Sequence, residues 1–285
     1  MRRSAAGVWM REILREFLAD DPFRLAAALA YYTLLSLAPL LLVVVGLAGL
    51  AFGRDAARAA LLDQVRHYMG EQGASAVSTL MGHAVSQGSS ELSIVIGLAA
   101  TFIGATTAFA QLQAAMNDIW GVDAGARRSA VGQVVRRRLL SLAMVVLVGL
   151  LLSASLLVSA LLSSAHGGFG ERLPSTFWWV VNGAISFAAM NALIAATFRY
   201  LPDARVAWAD AWVGAAITAV LFSVGRYLIG LYLGHAGIGS VFGAAGSIVI
   251  LMVWIYYASL ILFLGAEITS VLGRHRALRA LQDAG

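Results

Sequence analysis

Six polar or charged residues stand inside stretches that are otherwise apolar: Tyr32, Gln111, Asn191, Asp210, Arg226 and Glu267. A charge at the middle of a bilayer costs about 2.5–3.5 kcal/mol, so such residues face a cavity or a partner. Glu267 lies seven residues before Arg274, roughly 10 Å inside the end of its segment at 1.5 Å per residue. A carboxyl there has two uses. Facing a chamber, it loads and releases a proton; ending a helix, it serves packing or holds Arg274 or Arg276 at the membrane boundary. Arg226 stands 20 residues beyond the start of its segment at 206, roughly 30 Å along a helix. That depth separates it from Glu267, so it either snorkels outward or meets an anionic group in the outer half. Tyr32, Gln111, Asn191, Asp210 and Glu267 share the opposite half and form a candidate polar chamber. The structural alternative is that Asp210 suits a helix N-terminus and the amides bond between helices.

Other chemistries find little support. There is no cysteine, so thiolate nucleophiles, thiolate metal sites and disulfides are excluded. The five histidines fall in no H-x-H or H-x-x-x-H arrangement, and scattered solvated imidazoles are the expectation over a shared metal site. Neither H-E-x-x-H nor G-x-S-x-G occurs, which disfavours metalloprotease and serine-hydrolase chemistry. No cofactor and no metal are expected.

The elements that must position these residues are membrane helices. Hydrophobic residues make up 60% of the 285 and charged ones 12%, against about 25% charged in soluble domains. Apolar runs long enough to cross a bilayer fall at 25–52, 92–116, 139–162, 177–200, 206–233 and 247–272. The expected fold is all-α: one polytopic integral membrane domain of six transmembrane helices, with short amphipathic interfacial helices. Residues 1–23 read as an amphipathic cytoplasmic segment lying along the membrane and not as a signal peptide. Residues 53–91 read as two amphipathic helices joined near Gly70–Gly73, on the periplasmic side.

Within the spans, Pro39 removes a helix hydrogen bond and marks a packing kink or a hinge. Gly97, Thr101, Gly104, Ala108, Gln111, Ala115 and Asp118 form a small-and-polar stripe that lets helix backbones approach closely. Gly243 and Gly246 belong to a glycine-rich stretch, 234–246, that reads as a loop or a re-entrant, hinge-like turn. The last segment, specialised on both faces, is expected inside the bundle and not at its rim.

Every basic residue is arginine, and 15 of the 20 fall at the two termini or in the 120–138 and 199–205 loops. The positive-inside rule then puts both termini in the cytoplasm. The same rule accounts for the net charge of +5, so no nucleic-acid partner is expected.

Several short motifs occur in a fixed order: Ala26-Ala27-Ala28-Leu29-Ala30-Tyr31-Tyr32 with Leu35-Ser36-Leu37-Ala38-Pro39, then Asn117-Asp118-Ile119-Trp120 and Tyr200-Leu201-Pro202. Gly243-Ala244-Ala245-Gly246-Ser247, Trp254-Ile255-Tyr256-Tyr257 and Gly265-Ala266-Glu267 follow. The ordered set resembles the YihY/BrkB family of bacterial inner-membrane proteins over about residues 20 to 272. The resemblance implies six transmembrane helices and a cell-envelope role. Family members have been linked to serum resistance and to lipopolysaccharide or lipid export, and some carry an old ribonuclease BN label. A metal-dependent nuclease needs a His/Asp cluster holding two ions, and no such spacing exists here.

With the resemblance, the polar half-chamber and the isolated Arg226, the leading expectation is a transporter or flippase for an amphipathic, lipid-like anion. A non-transporting envelope scaffold is the alternative, and a membrane-bound enzyme comes third. Membrane lipids are the expected partners, with a homo-oligomer possible.

Overall fold

The computed structural model describes residues 5–86, 91–122, 175–235 and 245–283. Segment 139–162, Gly243 and most of the 120–138 loop lie outside the described residues. All regular structure among the described residues is helical. The elements are α1 (Ala5–Ala19), α2 (Pro22–Phe52), α3 (Arg54–Ser86), α4 (Glu91–Ile119), α5 (Ser175–Tyr200), α6 (Trp208–His235) and α7 (Gly246–Asp283). Among these residues, Trp208–Tyr232 and Gly246–Arg279 are long and apolar enough to cross a membrane by composition.

The last helix is the hub, packing against α1, α2, α3, α4 and α6. Its upper turns place Leu251 and Trp254 in one apolar cluster with Leu41, Val77 and Met81. Its lower turns place Phe263 and Ala266 in a second, with Leu25, Met116, Phe198 and Ala211. The helix runs past the apolar segment to Asp283, because its arginines and histidine find partners on α1 and α6, described below.

The seam between α6 and α7 is set by two matching sequences. Gly214 and Thr218 lie four apart on α6; Gly265 and Thr269 lie four apart on α7. The helices run antiparallel, so Gly214 abuts Thr269 while Gly265 abuts Thr218, too close in both places for any side chain larger than hydrogen. Each threonine hydroxyl donates to the glycine carbonyl four residues earlier on its own helix, 2.7 Å away in both cases. Small residues of this kind let helices meet in lipid, where association rests on dispersion and hydrogen bonding. Two turns further along, Gly225 lies against the Tyr257 hydroxyl in the same register.

A similar close approach joins α2 to α4. A Cβ on Gly104 would fall 2.8 Å from that of Ser36, and Ala115 on the same stripe is fully buried. α2 is a single helix that continues through Pro39. α3 is two helices joined at a kink at Gly70, whose φ of 74° and ψ of −176° suit glycine.

α4 ends in a turn through Gly121, where the Gly121 and Val122 amides return to the carbonyls of Asp118 and Asn117. Its last two turns hold the α5–α6 link. The Gln113 amide donates to the Leu201 carbonyl at 3.2 Å. Asn117 donates to the Asp203 carboxylate at 3.0 Å and accepts from the Asp203 backbone N–H at 2.7 Å. Two motifs more than eighty residues apart in sequence thus form one joint, with Trp120 tilted against Phe198 beside it.

Candidate functional site

α1 folds back along the end of α7. Its Glu12 contacts His275 at 2.9 Å and its Glu16 pairs with Arg274. Trp9 stacks on the His275 ring at 4.7 Å, and the Arg279 guanidinium lies 5.9 Å from the centre of the Trp9 ring. This polar face points inward, leaving Met10, Leu14 and Leu18, one helical stripe, exposed. A left-handed Asp21 and Pro22 at the first turn of α2 then reverse the chain.

That reversal encloses a cavity of about 680 Å³. Its charged lining comes from α1, the α1–α2 turn, α4, the α5–α6 link, α6 and α7: Glu16, Asp20, Asp118, Arg205, Asp210, Glu267, Arg274 and Arg276. Asp210, at the first turn of α6, pairs with Arg276 at 2.8 Å. Glu267 is 1% exposed; its Oε1 is 3.9 Å from Arg274 Nη2, and no donor among the described residues reaches its Oε2. The Asp20 carboxyl is in hydrogen-bond contact with it. Burial raises the Asp20 pKa above the ordinary carboxylate value, and the charge of Asp118 adds to the rise, whereas the contact with Glu267 opposes it.

A second cavity, of about 630 Å³, lies at the elbow of α3 and is lined by Arg66, His67, Met69, Gly70, Arg226, Tyr227, Gly230 and Leu231. Arg226 donates to the His67 backbone carbonyl. Among the described residues it meets no carboxylate, whereas Arg66 is paired with Glu71 at 2.7 Å and Asp63 at 3.8 Å. Burial, then the Arg226 charge, lower the His67 pKa below the ordinary imidazole value. Tyr227, 68% exposed, continues into an apolar face with Leu228, Leu231 and Tyr232.

The residues singled out in the sequence divide between these places. Asp210 and Glu267 share the first cavity, and Arg226 lines the second, at the other end of α6. Tyr32, Gln111 and Asn191 line neither. Tyr32 is half-buried, edge-on to Tyr31. The Asn191 Oδ1 is buried without a hydrogen-bond partner among the described residues. Gly246 opens α7. Sequence reasoning missed Asp20, which reads as an ordinary turn residue beside Asp21-Pro22, and missed Gln113 and Asn117 as the holders of the α5–α6 link. No group of three metal-ligating side chains is found among the described residues.

Residues 13–284 match the family model described as Virulence factor BrkB. The chain belongs to the BrkB family. Among curated relatives, a UPF0761 membrane protein of Verminephrobacter eiseniae is 35% identical over 181 residues, 62% of this chain and 42% of that one. A UPF0761 membrane protein of Rhodospirillum centenum is 30% identical over 284 residues, 98% of this chain and 60% of that one. The chain thus spans about half the length of these relatives. No solved structure matches. It is a helical membrane protein of this family, and the Asn117–Asp203 joint and the Asp210–Glu267 cavity fall within the matched residues.

Proposed function

We propose that the chain is a carrier or flippase-like protein of the bacterial inner membrane for an amphipathic, lipid-like anion. The observation that carries the reading is Arg226: a guanidinium with no carboxylate among the described residues, set in a cavity that continues into an exposed apolar face. A cation at such a border suits a ligand whose anionic head is hydrogen-bonded and whose chains stay in lipid. In this reading both termini are cytoplasmic, the Arg226 cavity is periplasmic, and no covalent bond is made or broken.

The test is reconstitution into vesicles carrying a fluorescent anionic phospholipid or its zwitterionic counterpart, with leaflet access read by chemical quenching. Wild type is expected to move the anionic probe faster. A charge-assisted hydrogen bond contributes about 1.5–3 kcal/mol, so Arg226→Gln should slow it by about tenfold or more. Rates equal to protein-free vesicles would overturn the carrier reading.

That result would favour the second reading, a non-transporting envelope scaffold. The tight Gly214–Thr269 and Gly265–Thr218 contacts support it, because they close the α6–α7 seam between the two cavities.

A further inference from the structure

We propose that Asp20 and Glu267 together hold one proton, forming an acid site that ties the α1–α2 turn to the last helix. Glu267 projects from α7 into the 680 Å³ cavity, almost wholly buried, and its Oε2 has no donor among the described residues. The group facing it in hydrogen-bond contact is another carboxyl, Asp20. Two carboxylates carry four acceptor oxygens and no donor, so a hydrogen bond between them requires a proton.

The surroundings favour that proton. Five carboxyls line the cavity: Glu16 from α1, Asp20 from the turn, Asp118 from α4, Asp210 from α6 and Glu267 from α7. Three guanidinium groups face them, Arg205 from the α5–α6 link and Arg274 and Arg276 from α7. Arg276 is engaged by Asp210, and Arg274 pairs with Glu16 and reaches Glu267 Oε1 only at 3.9 Å, so the inner pair shares one distant guanidinium between two carboxyls. His275 lies on the far side with Glu12. Full ionisation would leave an excess of negative charge around a buried carboxylate, and one bound proton relieves it. Losing the proton sets two like charges against each other across the α1–α2 turn and pushes that turn away from α7. The site therefore binds a proton and releases the clasp when it departs.

The experiment is infrared spectroscopy of the full chain in lipid nanodiscs, titrated with pH. A protonated-carboxyl C=O band is expected at neutral pH and should disappear on raising the pH. Glu267→Gln and Asp20→Asn should each abolish it, because either amide donates to the carboxylate that remains. Asp118→Asn should keep the band and move its midpoint to lower pH, because one negative neighbour is gone. A wild type without the band, or a band surviving either substitution, overturns the proposal. Asp20 lies outside the helices, so Asp20→Asn carries the test if Glu267→Gln fails to insert. The outcome is independent of the carrier reading, because the band reports the proton whether or not a lipid moves.

Discussion

Gly265→Ala is the most direct probe of how α6 and α7 are held together. The new methyl would lie 2.9 Å from the Thr218 Cβ and 3.1 Å from its Cγ2, and closer still to its hydroxyl. Thr218 has no room to yield. It is buried and donates to the Gly214 carbonyl at 2.7 Å. The helices must therefore part by roughly 0.5–1 Å, a gap that forfeits a quarter to a half of each dispersion contact along the seam. Overpacking of this kind costs about 1–3 kcal/mol. Gly82→Ala supplies the control, since its Cβ would meet nothing within 4 Å among the described residues. There the gain in helix propensity, about 0.5–1 kcal/mol, acts alone. Unfolding of the purified protein in mixed micelles, followed by tryptophan fluorescence, should show the two substitutions shifting stability in opposite directions. Thr218→Ala, by removing the hydroxyl and one methyl, should recover part of the Gly265→Ala loss in the double variant. A Gly265→Ala protein as stable as wild type would refute the seam as described.

Asn117→Ala should destabilise by about 1–3 kcal/mol, because it removes two hydrogen bonds to Asp203, each contributing about 0.5–1.5 kcal/mol. Limited proteolysis should then cut within 201–206, a site protected in wild type. The raised Asp20 pKa gives stability a sign against pH. The folded state binds this proton more tightly than the unfolded chain, so the contribution is fully present below the model-peptide value of 3.8 and is lost as pH rises through the folded pKa. Asp20→Asn should flatten that part of the stability–pH curve measured in the same micelles, and an unchanged slope would remove Asp20 as its source.

Class and family were legible in the chain itself. Composition and the long uncharged runs dictate helices, because a continuous apolar run of about 20 residues fits a spanning helix and is too long for a barrel strand. The glycines of the seam and the Asn117 and Leu201-Pro202 motifs were visible as residues, though not as neighbours. Gly214 meets Thr269, and Asn117 meets Asp203, only because particular helices pack at a particular register. Helical periodicity gives the face a residue occupies and says nothing of the face across from it. The candidate chamber shows the limit most clearly. Grouping residues by depth assembled five, yet azimuth around each helix also matters, and only Asp210 and Glu267 line the same cavity. Their neighbour Asp20 is polar, local and unremarked in sequence. It becomes a half-buried carboxyl facing Glu267 because α1 doubles back on an α7 that outruns its apolar segment, and that is a decision of tertiary structure alone.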